Sequence, residues 1–349
     1  MEPKTTGILK DKRILITGVC GTVGSRLLRH LVEREEVQGS FILGVDSNEN
    51  GVFELEARYE HLDNVHLVVG NVRDRLGLER LMTDVDVVFH CAALKHVYQC
   101  EKAPTEALQT NILGVEAIIA ASLRCGVEKV IFTSSDKAVN PTSVMGTSKL
   151  MGERLITAAN VAGSGRTIFA STRFGNVLGS NGSVVKVFHK QIANGGPVTL
   201  TSSEMTRFVM GIDAAVSLVV RSAGIARGGE VFITKMPVIA IRDLAKVMID
   251  ELAPRYGHKP EDIEVVVTGP RPGEKLYEEL MTGEETRRAL ELQEYFVILP
   301  AFRPVYKGIH YQYPDMVRES VARAYVSGDE PLLPNDELRR LMVRGKMLD

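Results

Sequence analysis

Cysteine is scarce in this chain. The four that occur, Cys20, Cys91, Cys100 and Cys125, fall at no metal-ligand spacing and outline no disulfide framework. No metal site is expected, and a reduced, cytoplasmic protein is the simple reading. An excess of charge is missing too: the formal net charge is −2, which signals neither nucleic acid nor an acidic membrane as a partner. Long apolar runs are absent. The best stretch, 212–226, is interrupted by Asp213 and Arg221, and the first residues, MEPKTTGILKDK, hold no apolar signal-peptide core. There are no repeats and no low-complexity tracts. What remains is a chain of 349 residues, longer than one typical domain and long enough for a large core.

The glycines carry the first positive signal. Arg13–Thr17 reads as a strand that runs into Gly18-Val19-Cys20-Gly21-Thr22-Val23-Gly24. A helical pattern with Leu27, Leu28 and Leu31 follows. Strand, glycine turn and helix, in that order, are the context in which such glycines serve a dinucleotide. Glycine permits the tight turn and lets the backbone approach a pyrophosphate. The helix N-terminus supplies N–H groups and the positive end of its dipole. A second strand, 41–45, ends in Asp46, about 20 residues beyond the glycines, where a carboxylate bonds the ribose hydroxyls of NAD. The expected cofactor is NAD, held at Gly18, Gly21, Thr22, Val23, Gly24 and Asp46.

Further strands are expected at 65–70, 85–90, 129–133 and 167–173, and helices at 73–83, 104–125 and 144–162. Such alternation implies an α/β Rossmann fold, a doubly wound parallel sheet with right-handed crossovers. On the helix at 104–125, Leu108, Ile112, Val115, Ile119 and Leu123 share one face at helical spacing. After Gly175 the pattern loosens, with punctuation at Gly195-Gly196-Pro197, Gly228-Gly229 and 269–273. The expected organisation is an NAD-binding domain over 10–175 and a smaller substrate-binding region over 176–326, partly interleaved with it. A charged, loosely held tail over 327–349 completes the chain.

The chemistry concentrates between Thr133 and Lys149, TSSDKAVNPTSVMGTSK, directly after the apolar run Val130-Ile131-Phe132. Two hydroxyls (Ser134, Ser135), an acid (Asp136) and an amine (Lys137) stand on consecutive residues, and Lys149 follows on a helix. Charges at the end of a buried strand are costly unless paired or used. The carboxyl ends of strands in an open α/β sheet are where ligands bind. An acid beside a potential base there suggests proton transfer. The bland alternative is a solvated Asp-Lys turn pair.

The turn TGVCGTVG, HCAALKHV at 90–97, TNILG at 110–114 and SSDKAVNP at 134–141 resemble the extended short-chain dehydrogenase/reductases. Within them the chain resembles the bacterial nucleotide-sugar 4,6-dehydratases acting on UDP-N-acetylglucosamine. RFGNVLGSNGSV at 173–184, EMTRF at 204–208 and RPGEKLYEEL at 271–280 strengthen that likeness, which covers roughly residues 10–300. Many members carry an N-terminal membrane region. The chain shows none in its sequence, which implies a soluble form. It departs from the superfamily's Tyr-x-x-x-Lys, with Met145 preceding Gly146-Thr147-Ser148-Lys149. A thioether cannot exchange a proton. Met in that place is similar to one branch of the dehydratases. Asn71 stands where relatives commonly have an aspartate near the adenine.

The resemblance implies a set of roles. Lys137 is the base at C5 and Asp136 the acid at C6. Lys149 serves the nicotinamide ribose and loss of the O4 proton, and Ser135 holds O4. Asn71, Val72, Ala92, Ala93, Lys95 and Asn111 join the cofactor site. Lys95, His96, Met145, Asn176, Arg207, Arg271 and Glu274 contact the nucleotide sugar, where an arginine fork suits a diphosphate. These acid and base roles require Lys137 shifted down and Asp136 shifted up toward neutrality, although their adjacency opposes both shifts. The implied partners are a nucleotide sugar and further copies of the chain, as a homodimer or larger assembly. The implied activity is a hydro-lyase. GDP-N-acetylglucosamine as substrate, a 4- or 5-epimerase, and a non-catalytic NAD-binding regulatory module stand as alternatives.

Overall fold

The computed structural model describes residues 9–33, 39–162, 166–179, 183–269, 273–302, 309–345 and 347–348. The apolar runs of the first half become strands β1 (Arg13–Thr17), β2 (Phe41–Asp46), β3 (Val65–Val69), β4 (Val87–His90), β5 (Lys129–Thr133) and β6 (Ile168–Arg173). They pair in parallel in the order β3-β2-β1-β4-β5-β6, the Rossmann order. Every residue of β4 is buried, as is all of β5 beyond its first residue. A sheet covered on both faces demands such continuous apolar strands. The cover comes from α1 (Thr22–Glu33), α2 (Glu49–Tyr59), α3 (Arg75–Leu81), α4 (Val97–Lys102), α5 (Pro104–Ala107), α6 (Gly114–Cys125) and α7 (Val144–Ala162).

The single helix expected over 104–125 is interrupted. Between α5 and α6, Leu108–Leu113 forms a π-helical turn. The wider turn aims Asn111 inward, where its Oδ1 accepts from Leu94 N at 2.8 Å. Its Nδ2 donates to Leu94 O and to Ser148 Oγ, both at 2.9 Å. Such single-turn bulges cluster at functional sites. The extra residue also breaks the expected stripe. Val115 is fully buried beside Ile118 and Ser122, whereas Leu108 is 45% exposed.

Later strands enlarge the sheet. The remaining ones are β7 (Asn176–Val177), β8 (Val198–Leu200), β9 (Thr206–Met210), β10 (Val231–Thr234), β11 (Val238–Ala240), β12 (Val265–Val267), β13 (Glu279–Met281), β14 (Ala289–Leu292), β15 (Tyr295–Ile298), β16 (Met316–Arg318) and β17 (Tyr325–Val326). β10 joins β6 in parallel, and β15, β14 and β16 follow antiparallel to complete a 10-stranded sheet. Small sheets β11-β9-β7, β12-β8 and β13-β17 stand apart from it. A second apolar cluster gathers Phe188 of α8 (Val184–Ala193) and Leu244 and Met248 of α10 (Ile241–Leu252). Between them in the chain, α9 (Ile212–Ile225) packs Val216 and Val219 into the main core.

The tail is not loosely held where it is described. α11 (Asn335–Arg344) buries Leu338 and Met342 in the second cluster, with Met347 and Leu348 beside them. The Arg255 guanidinium donates to Leu348 O at 2.7 Å. Its charged residues form only the outer face of an amphipathic helix. Among the described residues, no helix is long and apolar enough to cross a membrane.

Candidate active site

The strand order reverses between β1 and β4, and the turns leaving these two strands meet. Gly18, at φ +70°, lies so near that a Cβ on it would stand 2.6 Å from Ala92 N. A Cβ on Gly24 would collide with Gly18 O. The turn is thus closed by backbone on backbone just before the first turn of α1. The Asp46 carboxylate accepts from Cys20 N at 2.9 Å and from Asn48 N at 3.0 Å, which places it beside the glycine turn. Burial and Asp46 push the Cys20 thiol up to about 12, so it stays protonated. Beyond Thr22 a cavity of about 360 Å³ opens, lined also by Leu178, Lys186, His189, Lys190 and Met347. These features fit a dinucleotide: a glycine cradle, a helix N-terminus and a carboxylate at the end of β2.

Around this cradle, Val72 is buried and Asn71 is exposed, its Oδ1 accepting from Arg73 N at 3.0 Å. Ala92 and Ala93 are half-buried. Desolvation and the Lys186 ammonium both push the Lys95 amine below the ordinary value. His96 caps α4 from an exposed position without a side-chain hydrogen bond to the helix.

The strand end at Thr133 carries the acid–base groups. Ser134 is buried with its hydroxyl unpartnered. Ser135 opens a short 3₁₀ turn, its Oγ accepting from Lys137 N at 3.3 Å. The Ser135 hydroxyl donates to Asp136 Oδ1 at 2.8 Å. Lys137 Nζ lies 3.0 Å from the same Asp136 oxygen, 3.3 Å from Asn176 Oδ1 and 3.3 Å from Glu278 Oε1. Asp136 is fully buried with Oδ2 unpartnered, and Glu278 is buried with Oε2 unpartnered. The solvated turn pair is therefore the wrong description. The shift expected of Lys137 is also reversed here. Burial pushes its amine down, but Asp136 and Glu278 push harder and hold it above its ordinary value. Burial and the negative Asp136 push the Glu278 carboxyl up.

Lys149 lies below this group on α7. Its Nζ donates to Thr133 O at 2.8 Å and sits 4.6 Å from the centre of the Phe132 ring. Burial drives this amine down to about 8. His90, at the end of β4, is neutral: burial, with Lys149 nearby, lowers it to about 3. Its Nδ1 is hydrogen-bonded with Thr17 Oγ1 at 2.7 Å.

Several expected ligand contacts are otherwise engaged. Arg207 does not present its fork to an open site. It donates to Thr206 O at 2.7 Å, Leu276 O at 3.2 Å and Lys275 O at 2.8 Å, pinning the 275–278 segment to β9. Asn176 serves Lys137, because β7 brings it alongside the 3₁₀ turn. Met145 packs in an apolar cluster with Cys100 and Ala107, and its thioether fills space. Glu274 is exposed. Arg271 lies outside the described residues.

Two groups escaped the sequence reading. Glu278 belongs to the RPGEKLYEEL segment, but nothing local distinguishes it from Glu274 or Glu279. Arg173 is a fully buried brace, bonded to both oxygens of Glu153 at 2.8 and 2.6 Å and of Glu285 at 2.9 and 3.0 Å. It ties α7, and so Lys149, to β6 and to the turn after β13. A basic residue closing a buried strand is the one signal that would have flagged it.

Comparisons with known proteins agree with this architecture. A family model described as polysaccharide biosynthesis protein matches residues 14–300. An uncharacterized membrane protein of Methanocaldococcus jannaschii is 48% identical over 83% of this chain and 86% of its own length. The UDP-N-acetylglucosamine 4,6-dehydratase (inverting) of Campylobacter jejuni is 37% identical over 86% of each chain. A UDP-glucose 4-epimerase of Rickettsia canadensis is 36% identical over 82% of this chain and 83% of its own length. Among solved structures, Pen from Bacillus thuringiensis superposes with a TM-score of 0.87 at 38% identity, covering 97% of this chain and 98% of Pen.

Proposed function

The chain belongs to the polysaccharide biosynthesis protein family, and we propose that it is an NAD-dependent nucleotide-sugar 4,6-dehydratase acting on UDP-N-acetylglucosamine. The observation that carries the reading is the Asp136–Lys137 pair at the end of β5, its acid fully buried and its amine half-buried. It stands in addition to Lys149, and a 4-epimerase has no need of a second proton-transfer group. The relative named a UDP-N-acetylglucosamine 4,6-dehydratase supports the substrate.

NAD, held at Gly18, Gly21, Thr22, Val23, Gly24 and Asp46, supplies a hydride acceptor and donor when bound. The residues manage the protons. The Lys149 ammonium favours ionisation of the O4 hydroxyl. Ser135 holds that oxygen and relays its proton to Asp136 across the 2.8 Å hydrogen bond. This gives the relay the task that Met145 cannot perform. Lys137 removes the C5 proton, acidified by the C4 ketone, while Asp136 returns its proton to the departing C6 hydroxyl as water. Lys137 then restores a proton at C5.

Incubation with UDP- and GDP-N-acetylglucosamine, read by mass spectrometry, tests the reading. Loss of one water from the UDP sugar is expected. Water lost only from the GDP sugar would move the nucleotide assignment. Unchanged mass with a new sugar would make the protein an epimerase, the reading that the Rickettsia relative favours. Binding without turnover would make it a regulatory module.

A further inference from the structure

We propose that Glu278 is the proton acceptor for Lys137, a positioning residue that lets the amine meet C5 of the sugar as a neutral base. The inference rests on the dehydratase reading. An ammonium has three protons, and each of Lys137's meets an oxygen: Asp136 Oδ1 at 3.0 Å, Glu278 Oε1 at 3.3 Å and Asn176 Oδ1 at 3.3 Å. An ammonium so held has no lone pair with which to take a proton, and it must first lose one. The Asn176 amide cannot accept it. Asp136 is committed elsewhere: Ser135 delivers the O4 proton to it, and that proton leaves with the C6 hydroxyl. Glu278 remains. It is buried at 3% exposure, with Oε2 unpartnered, an arrangement that makes its carboxylate a stronger proton acceptor than a solvated one. The charged groups facing it are Asp136 and Lys137 from the 3₁₀ turn and Arg207 from β9, whose Nε stands 3.7 Å from Oε1.

The step balances within the cluster. One Lys137 N–H bond breaks and a Glu278 O–H bond forms. Neutral Lys137 takes the C5 proton as the C6–O bond breaks, and Asp136 supplies the proton of the departing water. Lys137 then gives its proton back to C5, and Glu278 gives its own back to Lys137. Because the first transfer is internal, it consumes no proton from solvent.

The test is incorporation of deuterium at C5 from heavy water, measured between about pH 6.5 and 8.5 alongside reduction of the bound cofactor. Wild-type exchange should be nearly level over that range. In Glu278→Gln the amide keeps the hydrogen bond but cannot take the proton. Exchange should fall ~10²-fold near neutrality and climb about tenfold per pH unit, as solvent must deprotonate Lys137. Cofactor reduction should stay within a few-fold, and Glu278→Asp should restore a level profile. A level, wild-type rate in Glu278→Gln overturns the proposal. So does loss of reduction and exchange in equal proportion in both variants, which would mark Glu278 as structural. Wild-type protein that exchanges no C5 hydrogen and loses no water overturns the dehydratase reading, and this proposal with it.

Discussion

Lys149 is buried and Lys137 half-buried at the end of one strand, yet their surroundings push them in opposite directions. Lys149 has one carbonyl and one aromatic face near its ammonium, so burial dominates and lowers it to about 8. Lys137 has two carboxylates, which outweigh burial and raise it. If their tasks divide as proposed, Lys149→Ala should block reduction of the cofactor, whereas Lys137→Ala should still oxidise C4 and then stop. Each loss should be ~10²–10⁴-fold, read as cofactor absorbance for the first and C5 deuterium exchange for the second. On that reading the working form of Lys149 is the cation, and its folded value lies below that of free lysine. The rate of the oxidation step at low substrate should therefore fall as pH rises through about 8. Normal C5 exchange in Lys137→Ala would remove that lysine from the mechanism. The two lysines and Asp136 were legible because they crowd one short segment after an apolar run. Glu278 was not, since only the folding of β13 against the 3₁₀ turn brings it there. Arg207 was legible as important but misread, because the carbonyls that occupy its fork are invisible in sequence.

The helix that carries Lys149 is held by the Arg173 brace as well as by its cap, where Ser143 Oγ accepts from Gly146 N at 3.1 Å. Burial alone would push the guanidinium down, but Glu153 and Glu285 more than reverse it and keep it charged. Removing one partner of a buried charge cluster leaves the others uncompensated, at a cost of about 3–5 kcal/mol. Arg173→Leu should therefore lower the stability by about that amount in a denaturant titration. A loss no larger than that of an exposed ion pair, below about 1 kcal/mol, would show that the two glutamates find other partners. The expected boundaries of α7 match its observed span, because its small and apolar residues sustain one helical period. The π-turn at 108–113 could not be read in the same way. The 3.6-residue period does not continue through it, and the contacts its inward residue makes are tertiary: Asn111 faces Leu94 and Ser148 together.

The Rossmann half was legible because parallel strands, buried on both faces, write themselves as continuous apolar runs. The extension through β10, β15, β14 and β16 was not. Those strands are short, pair in both senses and come from separated parts of the chain. The surface of α5–α7 also bears on how copies associate. Leu108 and Leu113 are 45% and 50% exposed, and Met151 and Val161 on α7 are each 47% exposed. Exposed apolar side chains on neighbouring helices are what a symmetric dimer buries, since one face then covers its own copy. These helices and their copies should form a four-helix interface of at least about 1,000 Å² in total. The π-turn contributes Leu108 and Leu113 to this exposed face. Light scattering at micromolar concentration should give the mass of a dimer or of a multiple of it. The double variant Leu108→Lys, Met151→Lys should shift it to the monomer while leaving the far-ultraviolet circular dichroism unchanged. A wild-type monomer would refute the interface. A variant that remains fully dimeric would move it to another face of the molecule.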